Sequence, residues 1–169
     1  KNGVYFDVGC FHPIMYSNTC LLYNKGWQGV NIDVNPTTID LFNIARPKDI
    51  NLCTTIDENK SEFKLYFDHP FSPVNTLDKK FYEDFKESYY KKFKRDSFKD
   101  NIVKIVKSKT ADEILKISER YTKIDFLNID VEGMDLKILK QIFPHKLKPK
   151  LISIETHNPD NIKLRDCDQ

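Results

Sequence analysis

The sequence is poor in glycine and cysteine and has no long apolar run. Its 169 residues include five glycines and four cysteines, and the cysteines are far apart with no C-x-x-C pair. That spacing excludes a disulfide framework and a zinc knuckle. The apolar runs fall far short of the ~20 residues of a membrane span, and the first residues lack the layout of a signal peptide. We therefore expect a cytoplasmic protein with reduced thiols and no membrane span.

A large excess of charge of one sign is also missing. Lys and Arg number 27 against 25 Asp and Glu, so the net charge is +2. This excess is too small for the whole chain to bind nucleic acid by electrostatics. Hydrophobic residues make up 40% and aromatic residues 12% of the chain, which is enough to fill a core. The length predicts a single domain over 1–169.

Strands and helices alternate through most of the chain, which is the pattern of β-α-β units in a parallel sheet. The hydrophobic patterns predict strands at 4–9, 29–34, 50–56, 126–131 and 151–155. Helices are predicted at 19–25, 36–45, 111–120 and 134–143. Little periodicity follows His157, so we expect the terminal strands of a larger sheet to be missing from this sequence. The fold class is α/β.

The alternation breaks after the third strand, where we expect an insertion or lid over about 58–109. Residues 79–109 carry a net charge of +6, and the rest of the chain carries −4. Phenylalanines and tyrosines recur at helical spacing between the lysines, which predicts a basic, aromatic-faced helix followed by a strand near 102–106. One interpretation is a lid whose aromatics pack on the sheet. The other is a clamp for a phosphate-bearing substrate.

Acidic residues at the first two strand ends indicate a nucleoside cofactor. Asp7 precedes Gly9 on the first strand, and Asp33 ends the second strand 24 positions after that glycine. Ligands of open parallel sheets bind at the carboxyl ends of the strands, where an acid can accept hydrogen bonds from ribose hydroxyls. A dinucleotide would need G-x-G-x-x-G, but Gly9 is followed by Cys10-Phe11-His12. The alternative is that Gly9 only makes a turn and Asp33 is only a loop carboxylate.

A second set of acids follows the later strands. Asp130, Glu132 and Asp135 follow one strand, and Glu155 and His157 close the next. Asp130 and Glu132 are expected to face a cleft, because burying these carboxylates without a partner would be costly. The alternative is that Glu132 and Asp135 only favour the N-terminus of the following helix, which suffices for Asp135. Neighbouring strand ends lie ~5 Å apart, so Asp130, Glu155 and His157 could converge on Mg²⁺ or Mn²⁺, or act as general bases on a hydroxyl. A surface histidine without such a role is the open alternative.

Several segments together resemble a known family. They are V-Y-F-D-V-G at 4–9, S-N-T at 17–19, G-W-x-G at 26–29, N-I-D-x-N-P at 31–36 and D-F-L-N-I-D-V-E-G-M-D at 125–135. This combination resembles the FkbM family of S-adenosylmethionine-dependent methyltransferases. The resemblance implies a Rossmann-like class I methyltransferase fold, a mostly parallel sheet flanked by helices. It also implies O-methylation, commonly of sugars in surface polysaccharides or of secondary metabolites.

The resemblance also assigns cofactor-binding residues. Asp7, Gly9 and Cys10 would cradle the methionine end, Asp33 would hold the ribose, and Asp57 would meet the adenine amine. The remaining expected cofactor contacts are Ser17, Asn18, Val34 and Asp130. The chain departs from the family's D-I-G-A-N-x-G by having D-V-G-C-F-H-P at 7–13, so a second glycine is absent.

Three functions compete at this point. The first is O-methylation of a sugar hydroxyl, on a nucleotide-linked or phosphorylated sugar used for surface polysaccharide. The second is a nicotinamide-dependent sugar dehydrogenase using the same Asp33, and the missing glycines count against it. The third is a non-catalytic Rossmann-like domain whose residues 79–109 hold a polyanion, for which the acids at the strand ends would be unnecessary. The sequence leaves the oligomeric state open.

Overall fold

The fold is built on a five-stranded parallel sheet. The computed structural model describes residues 2–59, 61–67, 69–72, 75–93, 102–142, 145 and 147–155. The sheet contains β1 (Val4–Val8), β2 (Gln28–Asp33), β3 (Ile50–Cys53), β7 (Ile124–Ile129) and β8 (Pro149–Ile154). Their order is β3-β2-β1-β7-β8, and every neighbouring pair is parallel. The order changes direction at β1, so a crevice forms at the carboxyl ends of β1, β2 and β7.

The helices follow from local sequence signals. They are α1 (Cys20–Asn24), α2 (Pro36–Ala45), α3 (Lys79–Phe93), α4 (Ala111–Ile117) and α5 (Asp135–Ile142). Pro36 stands in the first turn of α2, and the Asn35 side chain caps that helix by accepting from the Thr37 N–H at 3.1 Å. Thr110 and Glu113 form a capping box at the start of α4. The predicted helices are confirmed, although α1 and α4 are shorter than expected.

The main hydrophobic core lies on one face of the sheet. Apolar side chains of the central strands, including Phe6, Val30 and Leu127, are almost fully buried there and pack with Ile114 of α4 and Ile138 of α5. On the other face the same strands carry buried polar side chains, which are Asp7, Asn31 and Asn128. The α/β architecture predicted from the sequence is confirmed.

The third predicted strand, at 50–56, is divided. β4 (Thr55–Ile56) leaves the main sheet and joins β6 (Ile102–Lys109), which also pairs with β5 (Glu62–Phe67) in a second sheet of order β4-β6-β5. The division falls at Thr54, whose N–H donates to the Asp33 carbonyl at 2.9 Å and whose hydroxyl donates to the Lys107 carbonyl at 2.8 Å. Thr54 thus ties the two sheets together.

The second sheet and α3 occupy the part of the chain for which a lid was predicted. That these residues act as a lid stays a prediction. Among the described residues, no helix has the length and apolar character needed to cross a membrane.

Candidate functional site

A cleft opens at the carboxyl ends of β1, β2 and β7, where the strand order predicts a ligand site. Its empty space, counted out to open solvent, is ≈ 990 Å³. Residues from the three strand ends and from residues 69–77 line it. Of the predicted cofactor-binding residues, those that line the cleft are Asp7, Gly9, Cys10, Asn18, Asp33, Val34 and Asp130.

Gly9 makes the turn after β1 at the floor of the cleft. Its φ is +81°, and its N–H donates to the Ile32 carbonyl at 2.8 Å. A Cβ at this position would lie 1.7 Å from the Asp130 carbonyl oxygen. The turn and the end of β7 can touch only because residue 9 has no side chain, which is a reason for glycine beyond its positive φ.

Asp33 ends β2 with a carboxylate held in a fixed orientation. One oxygen accepts from the Phe11 N–H at 3.0 Å, and the other accepts from the Asn35 N–H at 2.8 Å. Burial raises the pKa of Asp33 to about 6, although these backbone hydrogen bonds oppose the rise. Each oxygen keeps a lone pair for a ligand hydroxyl, so the predicted contact with a ribose is chemically available here.

We expect Asp33→Asn to weaken binding of S-adenosylhomocysteine by about ten- to a hundred-fold, because two charge-assisted hydrogen bonds to the ribose are lost. The wild-type affinity should also fall below about pH 6, since protonation removes the negative charge that the hydroxyls bind. Calorimetry from pH 5 to 8 tests both, because the pH dependence should vanish in the variant. Equal affinity in the two proteins at neutral pH would rule out the ribose contact.

Asp7 lies in the cleft but is bonded to neighbouring side chains. Its carboxylate accepts from the Asn128 amide at 2.9 Å and from the Thr19 hydroxyl at 2.5 Å. Burial raises the pKa of Asp7, and these two donors oppose that rise. Asp7 thereby joins β1 to β7 and to the loop after β1. Its predicted contact with the methionine end stays a prediction.

Arg46 fixes the loop after β1 from behind. Its guanidinium, in a side chain only 1% exposed, donates to the Pro13 carbonyl, to the Ser17 hydroxyl at 2.9 Å and to the Thr19 hydroxyl at 2.8 Å. Ser17 does not line the cleft, because its hydroxyl faces Arg46. In the sequence Arg46 was only the residue that stops α2, and nothing in its local pattern marks this contact across 33 residues.

The acids after β7 and β8 form a cluster beside the cleft. Carboxylate oxygens of Asp130, Glu132 and Glu155 all lie within 4.8 Å of one another. The predicted convergence of Asp130 and Glu155 is therefore present, since the Glu155 N–H continues the pairing of β8 with β7 by donating to the Ile129 carbonyl at 3.1 Å. Glu132, which was expected with Asp130 to face a cleft, lines it and also joins this cluster, to which the sequence had not assigned it. His157 lies outside the described residues.

A strap formed by residues 69–72 and 75–77 closes one side of the cleft. The Asn35 amide donates to the Pro70 carbonyl, and the Thr76 hydroxyl donates to the Glu132 carbonyl, both at 2.7 Å. The strap is therefore fastened to the ends of β2 and β7. The strap residues that line the cleft are Ser72, Asn75, Thr76 and Leu77. The sequence analysis missed them, because each anchor joins segments at least 35 residues apart.

Thr54 and Thr55, rather than Asp57, follow β3 on the cleft wall. Asp57 does not line the cleft, and its carboxylate accepts from the Lys137 ammonium at 2.5 Å and from the Asn59 N–H at 3.1 Å. Asp57 therefore links β4 to α5. The contact of Asp57 with the adenine, which the resemblance implied, stays a prediction.

The cleft is strongly anionic. Asp7, Asp33, Asp130 and Glu132 line it, while no Lys, Arg or His does so among the residues that the structure covers. Such a site attracts cationic groups and repels phosphates. The negative charge of the cleft therefore favours cationic ligands over ligands that carry phosphate there.

Comparison with known proteins gives a single assignment. No curated protein and no solved structure matches the chain significantly. The Methyltransferase FkbM domain matches residues 7–166, which is nearly the whole chain and includes every described strand end of the cleft. The parallel sheet and the cleft at its carboxyl ends agree with that match, and the chain therefore belongs to the FkbM methyltransferase family.

Proposed function

We propose that the protein is an S-adenosylmethionine-dependent O-methyltransferase that acts on a sugar hydroxyl. Membership of a methyltransferase family implies S-adenosylmethionine as the methyl donor. The observation that carries the proposal is the anionic cleft, with four carboxylates and no basic side chain among its described lining residues. S-adenosylmethionine carries two cations, the sulfonium and the α-amino group, so these charges suit it.

The residues present fit this cofactor. The Gly9 turn brings the end of β1 against the end of β7 at the cleft, and each oxygen of the Asp33 carboxylate has a lone pair to which a ribose diol can donate. Thr54 and Thr55 offer hydroxyl and backbone groups beyond the ribose, where a base edge would lie. When bound, S-adenosylmethionine supplies a methyl group on a positively charged sulfur.

The dehydrogenase alternative fits this cleft poorly. A nicotinamide dinucleotide would bring a doubly charged pyrophosphate among the same carboxylates, where it would be repelled. Gly9 supplies one glycine where the dinucleotide pattern uses three. The non-catalytic alternative leaves the cluster of Asp130, Glu132 and Glu155 without a purpose, because three carboxylates this close together repel one another.

The chain's own groups can perform the remaining chemistry. Transfer of a methyl group needs an acceptor oxygen aligned with the sulfur, a base for the hydroxyl proton and exclusion of water. Asp130 lies in the cleft within the acid cluster, and we assign it as the base, with Glu155 and His157 as the other predicted members of that site. The strap, fastened at Pro70 and Thr76, excludes water from the acceptor side. The acid cluster alone does not assign a metal, so Mg²⁺ or Mn²⁺ is left to chelation experiments.

The acceptor we propose is a nucleotide-linked or phosphorylated sugar of surface-polysaccharide synthesis, encountered in the cytoplasm. Lys79 and Lys80 support it, because they follow Leu77 of the strap within three residues and place positive charge just outside the anionic cleft. A phosphate would thus be held outside the cleft while the sugar enters it.

Cofactor binding gives the sharpest test of the function. We expect calorimetry to show micromolar or tighter binding of S-adenosylhomocysteine and no binding of NAD at millimolar concentration. Methyl transfer from labelled S-adenosylmethionine to a panel of nucleotide-linked sugars then identifies the acceptor. Preference for NAD would overturn the proposal, and labelling of an amine instead of a hydroxyl would overturn the O-methyl assignment.

A further inference from the structure

The first turns of helix α3 are anchored to the body. The Asp78 carboxylate accepts from the Phe81 N–H at 3.0 Å, and the Tyr82 ring stacks on Tyr66 with the centroids 5.6 Å apart. Tyr82 is the one buried residue of this 15-residue helix. Two large aromatic side chains near its end, Tyr90 and Phe93, are 54% and 49% exposed. The outer half of α3 thus presents aromatic surface to its surroundings.

Helix α3 combines aromatic rings with lysines. Rings at positions 81, 85 and 89, which are half-buried, and at 93, which is exposed, recur every fourth residue and so lie along one side of the helix. Neighbouring ring centroids are 6.3 Å apart for Phe85 and Tyr89 and 4.6 Å apart for Tyr89 and Phe93. Five lysines against three acids give α3 a net charge of +2, and the Lys92 ammonium lies 5.2 Å from the Phe93 ring centroid.

A second exposed apolar surface lies on the loop after β1. Ile14, Met15 and Tyr16 are 68%, 52% and 89% exposed. The His12 ring nitrogen Nδ1 accepts from the N–H groups of Ile14 and Met15 at 3.0 Å each, and Arg46 holds the Pro13 carbonyl just before them. Tyr16 also has a φ of +55°, which is unfavourable for a tyrosine. The loop therefore holds three apolar side chains outward in one conformation.

Both surfaces begin at the edge of the same cleft. Tyr16 lines the cleft from the loop, and Leu77 lines it from the strap, two residues before α3 begins. Phe71, which precedes the cleft-lining Ser72 on the strap, is itself 54% exposed. The mouth of the cleft is thus bordered by exposed apolar groups on the loop and on the strap, and α3 with its lysines starts beside it.

We infer that α3 and the loop residues Ile14 and Met15 dock on the surface of an anionic lipid bilayer, so that the cleft opens toward the membrane. Aromatic rings favour the interface between headgroups and hydrocarbon, and lysines at the same level pair with lipid phosphates. Nucleic acid would account for the lysines but would leave Ile14 and Met15 exposed to water. Docking of this kind would bring a sugar carried on a lipid phosphate to the cleft, but it does not depend on methyl transfer.

Sedimentation of the purified protein with lipid vesicles tests the inference. We expect binding to phosphatidylcholine vesicles containing about 30% phosphatidylglycerol, and binding about tenfold or more weaker to phosphatidylcholine alone. The change Lys91→Glu with Lys92→Glu should remove most of this preference, because it reverses the sign of the charge on α3. The matched change Lys116→Glu, at an exposed position of α4, should leave the preference intact.

The apolar contribution is tested on exposed residues whose replacement leaves the core untouched. Tyr90→Ser with Phe93→Ser, and separately Ile14→Ser with Met15→Ser, should each weaken vesicle binding about fivefold or more. A matched control replaces Ile44, 79% exposed on α2, by serine and should bind like wild type. Affinity for S-adenosylhomocysteine, measured on the same variants, should not change, which separates failure of this inference from failure of the proposed function.

Four results would overturn the inference. The first is that the protein binds neither kind of vesicle. The second is that wild type and all variants bind both kinds of vesicle with the same affinity. Retention on heparin or RNA without vesicle binding would identify the surface as a polyanion site. A dimer that dissociates when Tyr90 and Phe93 are changed would identify a second copy of this chain as the occupant.

Discussion

Gly9→Ala should cause the largest loss of stability of any single methyl addition in the cleft. Alanine at φ +81° costs about 1–2 kcal/mol by itself. The added Cβ would also lie 1.7 Å from the Asp130 carbonyl oxygen, a backbone atom that cannot rotate away. Either the turn after β1 or the end of β7 must move by more than an ångström, which disturbs the sheet at its centre. We expect a loss of about 4 kcal/mol or more and a melting temperature lower by roughly 10 °C.

Gly26→Ala is the matched control, since it separates the clash from the backbone strain. Gly26 has nearly the same φ, +84°, but the nearest atom to its added Cβ would be the Asn2 side-chain oxygen at 3.7 Å. This variant should lose only the strain of about 1–2 kcal/mol. Chemical denaturation of both variants measures the difference. If the two lose the same stability, the close approach of Gly9 to Asp130 does not exist in solution.

The parts of the fold set by local pattern could be predicted from the sequence. The parallel strands, the limits of α2 and the strand-end position of Asp33 follow from apolar runs, Pro36 and the spacing from Gly9. The division of the third strand at Thr54 could not be predicted, because it depends on a hydrogen bond to Lys107, 53 residues away. Hydrophobic periodicity carries no information about such distant partners.

The candidate site likewise contains residues that the sequence predicts and residues that it does not. Asp130 was identifiable because it follows a buried strand, where a carboxylate is costly to bury unless it has a partner or faces a cleft. The strap and Arg46 act through backbone carbonyls, at Pro70 and Pro13 respectively, and a carbonyl acceptor leaves no mark in the sequence. Asp57 is a position carried over from resemblance, and its contact with the adenine stays a prediction. Its carboxylate accepts from Lys137, and the residues that line the cleft after β3 are Thr54 and Thr55.

The proton acceptor should be revealed by Asp130→Asn, the change with the largest expected effect on activity. Asparagine keeps the size of the side chain but cannot take the proton of an acceptor hydroxyl. We expect kcat to fall about 10²- to 10⁴-fold, the usual contribution of a general base. Affinity for S-adenosylhomocysteine should change much less, because we assign the main cofactor contact to Asp33 and not to Asp130. Stopped assays with labelled cofactor and calorimetry measure the two quantities separately.

Asp125→Asn is the matched control at the opposite end of the same strand. Lys123 and Lys150 approach the Asp125 carboxylate at 2.7 Å each, and their hydrogen bonds lower its pKa. Loss of these pairs should reduce stability at every pH above the ordinary pKa of an aspartate, and the difference should shrink as the pH falls from that value through the lowered pKa of the folded state. Activity at saturating substrate should remain, because Asp125 is far from the carboxyl end of β7. A similar loss of kcat in both variants would show that Asp130→Asn acts through the strand and not as a base.

Chelation completes this test, because the same acid cluster could instead hold a divalent cation. If a metal acidifies the hydroxyl, EDTA should abolish activity and Mg²⁺ or Mn²⁺ should restore it, with Glu132→Gln and Glu155→Gln raising the metal concentration required. If Asp130 is the base, activity should survive EDTA and depend on pH through the titration of that carboxylate. Activity that survives EDTA together with Asp130→Asn and His157→Ala would eliminate both mechanisms. The cleft would then act only by aligning the acceptor oxygen with the methyl group in the absence of water.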